Sequence, residues 1–346
     1  MVDVCNSDGG WGDPVNCDAA HPVCSDYACT SPPSCQASGP GLTDCGPTNE
    51  SCCTSPEVPG GTYYRTYTNS GNGPASEWDP ATVSGLRVDK YLVTVGRYKQ
   101  FVSAWDGGAG WLPAAGSGKH AHLNGGLGIA DAPNEDAGQV YEPGWMAADN
   151  DNVAPTDANL GACGTWSTWS ASDNSNLPIN CLNWYEAYAF CIWDGGFLPS
   201  EAELEYVAAG GSQQLQYPWG STGPGTDNQY SIYGCYYPSG SPDASSSSCT
   251  GATYVAPVGT ATKGIGLWGQ FDLAGNMLEW SLDEWNASNV NPCVDCAYLS
   301  ATYNIYRALR GACFASTVSS LAATFRGWDD PSTRISINGV RCARSP

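Results

Sequence analysis

Apolar and polar positions alternate in short runs along this chain, and the period changes often. Val88-Asp89-Lys90-Tyr91-Leu92-Val93 predicts a strand. Thr94 follows as an N-cap, and Tyr98, Phe101, Val102 and Trp105 fall at i, i+3, i+4 and i+7. That spacing predicts one buried face of a short helix ending at Gly107-Gly108. A second helix starts at Asn183, where Glu186 completes a capping pattern, and runs through WYEAYAFCIW to Gly195-Gly196. A third starts at Ser200, with Glu203 three positions on, and reaches about residue 209. Beyond it the pattern predicts short strands and turns, including strands over 307–314 and 337–343. Residues 106–178 are rich in Gly, Asp and Asn and predict long loops. Within them, Asp149-Asn150-Asp151-Asn152 lacks the spacing of an EF-hand loop and reads as a solvated turn. No solenoid repeat is present. The pattern points to a loop-rich α+β fold, not a bundle or a doubly wound sheet.

Composition sharpens this picture. The chain has 346 residues, enough to bury a substantial core. Lys plus Arg number 13 against 34 Asp plus Glu, a net charge of −21. Such a polyanion repels nucleic acid and anionic membranes, so neither is an expected partner. There is no run of apolar residues long enough for a membrane span.

The 17 cysteines change the picture most. Eight lie in the first 53 residues: Cys5, Cys17, Cys24, Cys29, Cys35, Cys45, Cys52 and Cys53. This density predicts a disulfide framework made in an oxidising compartment. The only CxxC in the chain is Cys293-Val294-Asp295-Cys296, so a zinc reading is the weaker one. The first residues, MVDVC, carry no basic or apolar leader. The expectation is a secreted protein whose signal peptide has been removed.

Residues 1–58 cannot build a core without cross-links and are read as a Cys-rich, disulfide-stapled segment. Residues 59–346 are read as one globular domain, with Pro59-Gly60-Gly61 at the junction. Cys235 and Cys249 bracket a Gly/Ser/Pro-rich loop and are natural disulfide partners. His120-Ala121-His122 offers two imidazoles two residues apart, but two ligands make a weak metal site and the segment reads as a surface loop. No Ser/His/Asp order, HExxH or phosphate-cradling loop is evident.

The stretch GLWGQFDLAGNMLEW, residues 266–280, concentrates the candidate chemistry. Asp272 and Glu279 flank a Gly275-Asn276 turn, and two carboxylates plus turn carbonyls suit calcium. The same words resemble the central motif of the formylglycine-generating enzyme (sulfatase-modifying factor) family. Four further blocks match in the family's order: VDKYLVTVGRYKQFV, PINCLNWYEAYAFCIWDGGFLPSEAELEYVAAGG, YPWG, and LRGA through NGVRCA. The resemblance spans about 88–343.

It implies a C-type-lectin-like fold of the formylglycine-generating type, with a small twisted sheet and two principal helices. It also implies a calcium ion held by the side chains of Asp272 and Glu279 and the carbonyls of Gly275 and Met277. A Cys191–Cys342 disulfide is implied too, with Cys163–Cys181 a further expectation and Cys313 the odd cysteine. The family's aerobic enzymes oxidise a substrate cysteine with copper(I) held by two thiolates spaced C-x4-C, a soft donor pair suited to that metal. Counting along Arg310-Gly311-Ala312-Cys313 places Ser316 and Leu321 at those positions. The copper site is therefore expected to be absent.

The expected function is a secreted, calcium-stabilised binding or structural module. Its ligand-binding residues would be Phe325, Arg326, Trp328, Asp329, Asp330 and Arg334, a mixture suited to an extracellular glycan, peptide or protein. A metal-dependent oxidase is the alternative, and a self-assembling extracellular layer or fibre subunit the second. Homo-oligomerisation is compatible with either non-catalytic role.

Overall fold

Each principal helix begins at the cap its sequence supplies. In the computed structural model, which describes residues 18–25, 28–132, 140–241, 249–299 and 306–346, helix α1 is Val95–Trp105. Thr94 accepts a hydrogen bond from the Arg97 N–H, and Tyr98, Phe101 and Trp105 are buried. A short α2 covers Asp157–Leu160. Helix α3, Trp184–Trp193, starts in a reciprocal capping box between Asn183 and Glu186. Helix α4, Glu201–Ala209, starts in a second box between Ser200 and Glu203 and ends at Gly210 in the left-handed region, φ 65°.

The strands are short and fall into several small sheets. In chain order they are β1 Val23–Ser25, β2 Ala28–Thr30, β3 Glu57–Val58, β4 Gly61–Asn69, β5 Pro74–Val83 and β6 Leu86–Val88. Then come β7 Ala130–Asp131, β8 Leu278–Glu284, β9 Cys293–Val294, β10 Cys296–Ala297 and β11 Arg307–Arg310. The last are β12 Arg326–Asp329, β13 Asn338–Gly339 and β14 Ala343–Arg344. The central sheet runs β12-β11-β8-β13, a second runs β14-β6-β3, and a third β4-β5-β9. The architecture is α+β and loop-rich, with Trp280, Tyr91, Tyr98, Phe101, Phe190 and Phe314 in one core.

Three predicted strands come out shorter. The 88–93 run is regular only as far as Val88, because Lys90 N–H turns to the Thr54 carbonyl while the Asp89 side chain turns inward to Arg97. The 307–314 strand ends at Arg310, where Gly311 takes φ 74°. The 337–343 run splits because β13 pairs with β8 and β14 crosses to β6. The β4–β5 hairpin was not anticipated. Alternate residues of β4 (Tyr63, Arg65, Tyr67) do point inward, but most of β5 is exposed, so half of the hairpin has no apolar signature.

Disulfides join Cys191 to Cys342, Cys235 to Cys249, Cys163 to Cys181 and Cys293 to Cys296. Cys35–Cys53 and Cys45–Cys52 staple the N-terminal segment. Cys5, Cys17 and the MVDVC start lie outside the described residues. Packing does not break at residue 58: Cys35, Cys45, Cys52 and Cys53 share the core cluster with Tyr91 and Phe190, and β3 pairs with β6.

A buried ion quartet fastens these parts. Arg97 on α1 reaches Asp89 at 2.9 Å and Asp194, at the end of α3, at 2.5 Å. Arg344 on β14 pairs with Asp89 and reaches Asp194 at 2.7 Å. Ser34 joins through its N–H to Asp194, and its hydroxyl accepts from Arg97 Nε. Removing one partner leaves an uncompensated buried charge. Asp194→Ala is therefore expected to lower unfolding stability by about 3–5 kcal/mol, measured by urea denaturation under oxidising conditions. A loss below about 1 kcal/mol would mean that the quartet behaves like a surface pair.

Candidate functional site

The 272–279 turn sits between the sheets and the N-terminal segment. Asp272, Gly275 and Asn276 all take positive φ, at 59°, 102° and 67°, which folds the segment tightly. Asn276 locks the turn by bonding both the N–H and the carbonyl of Ala256. The Asp272 carboxylate is buried and accepts from the Gly259 N–H at 2.8 Å. Burial, which disfavours the charged form, pushes its pKa up to about 6. Glu279 is engaged differently. Arg341 Nε and Nη2 donate to its two oxygens at 2.9–3.2 Å, and the same guanidinium donates to the carbonyls of Asp89, Lys90 and Phe271.

An all-oxygen donor set of two carboxylates and two turn carbonyls matches calcium's chemistry. A buried carboxylate held above its ordinary range by lack of solvent is where a cation would be stabilising. Three of the donors already have partners: Asp272 in the Gly259 N–H, Glu279 in Arg341, and the Gly275 carbonyl in the Met277 N–H at 2.9 Å. Among the described residues no group of three or more His, Cys, Asp or Glu is arranged to hold a metal.

The positions that the resemblance aligns with the copper thiolates, Ser316 and Leu321, follow β11, which ends at Arg310. Leu321 is fully buried against Tyr233, Ala274 and Ala312. The Ser316 hydroxyl accepts from the Cys313 N–H at 3.0 Å and lies 3.3 Å from Cys313 Sγ. Cys313 is a free cysteine, buried, and burial raises its thiol pKa above the ordinary value.

The residues expected to bind a ligand run from Phe325 through β12 to the turn after it, and all but Trp328 are partly buried, with the arginines and aspartates already hydrogen-bonded. Arg326 makes a bidentate pair with Glu201 at 2.6 and 2.7 Å and stacks on Trp285. Arg334 forms a bidentate pair with Glu186. Asp329 accepts from Asn338 and from the Asp330 N–H, and Asp330 accepts from Ser332. Phe325 packs against the core. Trp328 is the exposed member, at 49%, with its ring against Tyr306.

The histidines are not on a surface loop. His120 is fully buried, with Glu142 at 2.9 Å from Nδ1 and Glu203 at 3.1 Å from Nε2. The two carboxylates outweigh burial and hold its pKa up at about 10, so it is a structural cation. Burial and the charge on His120 push its neighbour His122 down to about 4. A further buried set joins Glu201 and Glu205 on α4 to Arg310 on β11 at 3.0 and 2.6 Å. Burial raises Glu205 and Asp283 to about 7. One signal for these clusters was in the sequence: EAELE on α4 puts three acids into a segment so short that some must face the core.

The tight oxygen-rich turn, the capped helix pair and the tie from α3 to the segment before β14 define a domain of the formylglycine-generating type. Residues 44–346 match the family model described as the sulfatase-modifying factor enzyme 1-like domain, and the chain belongs to that family. A formylglycine-generating enzyme of Thermomonospora curvata is 27% identical over 84% of this chain and 92% of its own length. The mouse formylglycine-generating enzyme is 27% identical over 72% of this chain and 63% of its own. The bovine protein named inactive C-alpha-formylglycine-generating enzyme 2 is 29% identical over 48% of this chain and 50% of its own. Among solved structures, PvdO from Pseudomonas aeruginosa aligns with 17% identity and a TM-score of 0.47, over 90% of this chain and all of that one.

The His120 cluster makes a signed prediction. Its folded pKa of about 10 exceeds the ordinary 6.5, so its stabilisation is complete below about pH 6.5 and disappears as pH rises through about 10. His120→Gln is expected to lower the melting temperature at pH 6 and to flatten the alkaline decline, as read by thermal scans from pH 6 to 10. An unchanged alkaline slope would show that His120 does not carry that decline.

Proposed function

We propose that this chain is a secreted binding module, stiffened by calcium, on a formylglycine-generating-type fold that has lost the copper chemistry. The carrying observation is the pair Ser316 and Leu321 at the positions of the thiolate pair. Leu321 is core, and Cys313 is a single buried thiol. Without two thiolates the soft site for copper(I) is not built. The name of the bovine relative indicates that the family includes a member regarded as inactive. The described disulfides suit an oxidising, extracellular compartment, and no helix among the described residues is long and apolar enough to cross a membrane. Trp328 on β12 offers one exposed aromatic contact for an extracellular ligand.

The catalytic alternative has a direct test. Protein loaded with copper(I) is expected to retain no stoichiometric, thiol-dependent copper and to consume no oxygen with a cysteine-containing peptide. Stoichiometric copper with oxygen uptake and loss of the peptide thiol would overturn the binding reading.

The calcium part is tested separately. Asp272 must ionise to act as a ligand, so affinity is expected to fall as pH drops through about 6. About 1 mM calcium, in the range typical of extracellular sites, is expected to raise the melting temperature at pH 7.5 more than at pH 5. Asp272→Ala should abolish that rise. A calcium response that survives Asp272→Ala would place the ion elsewhere.

A further inference from the structure

The segment following the 3-10 turn at Gly211–Gln213 carries an aromatic ledge that none of the preceding roles uses. Tyr217 and Trp219 stack with ring centroids 5.0 Å apart and planes 11° from parallel. Trp219 continues to Tyr230 at 5.8 Å, and Tyr236 packs edge-on against Tyr233 at 5.2 Å. Tyr217, Trp219, Tyr230 and Tyr236 are all partly exposed. Their inner edges are anchored: Tyr217, Trp219 and Tyr236 pack on the cluster of Tyr233, Ala274, Ala312 and Leu321. The ledge thus packs on the cluster that contains Leu321, and Gly234 N–H bonds the carbonyl of Ser316 at 3.0 Å.

The ledge is rigid. The Trp219 indole N–H donates to the Thr222 carbonyl at 2.9 Å, the Tyr233 hydroxyl donates to the Gly225 carbonyl at 2.7 Å, and Cys235–Cys249 ties the segment. Held aromatic rings give a large contact area without an entropic cost of ordering on binding.

We propose that Tyr217, Trp219, Tyr230 and Tyr236 bind a neutral oligosaccharide, whose sugar rings stack on the aromatic faces. This deepens the binding reading above and rests on it. Three observations select the ligand class. Among the described residues the hydroxyls of Tyr217, Tyr230 and Tyr236 make no hydrogen bond, so three groups that both donate and accept face a ligand rich in hydroxyls. The rim is polar, with exposed Ser221, Thr222, Thr226 and Asp227. Lys263, 5.8 Å from the Tyr230 ring, is the one cation stacked on the ledge among the described residues, and the chain carries a net −21, so an anionic glycan is disfavoured. A proline-rich peptide also lies on aromatic ledges. Its carbonyls only accept, so it would use the donor side of the three tyrosine hydroxyls and leave their acceptor side unpaired, whereas sugar hydroxyls use both sides.

The test is isothermal titration of the full chain with cellohexaose, maltohexaose and chitohexaose, and with a proline-rich decapeptide. At least one hexasaccharide is expected to bind. Trp219→Ala and Tyr230→Ala should each weaken it at least roughly tenfold, whereas Trp78→Ala, at an exposed tryptophan of β5 outside the ledge, should leave it within about twofold. Thermal melts identify a variant that has lost its fold. Tyr230 lies outside the apolar cluster, so Tyr230→Ala serves if Trp219→Ala unfolds. Loss of binding in Trp328→Ala with retention in Tyr230→Ala would overturn the ledge while keeping the binding role. Binding of the decapeptide alone, or of none of the four probes, would also overturn it. Failure of the binding reading itself registers independently, as oxygen uptake by the copper-loaded protein.

Discussion

Two aspartates and two arginines, closed to solvent, hold this molecule in one piece. Asp89, Arg97, Asp194 and Arg344 come from the end of β6, from α1, from the end of α3 and from β14. Burying four charges is unfavourable unless each is matched, and here the set is neutral with each acid shared by both bases. Ser34 and the Cys52 carbonyl also bond Arg97, so the N-terminal segment is fastened to the same point. A chain with so few long apolar elements needs such a junction. The Cys191–Cys342 bond runs close by, from the same helix to the residue two before Arg344.

The quartet is one case of a wider habit. All nine arginines, Arg65, Arg87, Arg97, Arg307, Arg310, Arg326, Arg334, Arg341 and Arg344, are buried or partly buried. Six of them, Arg97, Arg310, Arg326, Arg334, Arg341 and Arg344, set their charge inside, on Glu201, Glu205, Glu186, Glu279, Asp89 and Asp194. The four lysines cannot balance the remaining acids, so the surface field is negative. This field suits a partner without negative charge, and it suits calcium. Arg326 and Arg334 are poor candidates for ligand contacts because Glu201 and Glu186 already engage them.

Much of the fold was legible because its signals are local. Thr94, Asn183 and Ser200 cap the helices they were expected to cap, and the spacing of Tyr98, Phe101 and Trp105 does mark the buried face of α1. The family motifs placed the overall architecture. Long-range pairing left no such mark. Nothing in the sequence around Arg326 announces Glu201, 125 positions away. His120 reads as a loop residue because its partners, Glu142 and Glu203, lie 22 and 83 positions away. The aromatic ledge was visible as composition, but only folding brings Tyr217 and Trp219 onto Tyr230. The positions that the resemblance aligns with the thiolate pair hold a leucine in the core and a serine beside Cys313.

The domain has the family's scaffold, and the proposed function adds a calcium ion at the 272–279 turn and no copper at Ser316 and Leu321. The most direct measurement is anomalous diffraction from crystals grown with calcium and exposed to copper(I), collected at energies that distinguish the two ions. The account predicts a calcium peak beside Asp272 and no copper at Cys313 or Ser316. Copper bound at the Cys313 thiol, with no calcium at Asp272, would contradict it.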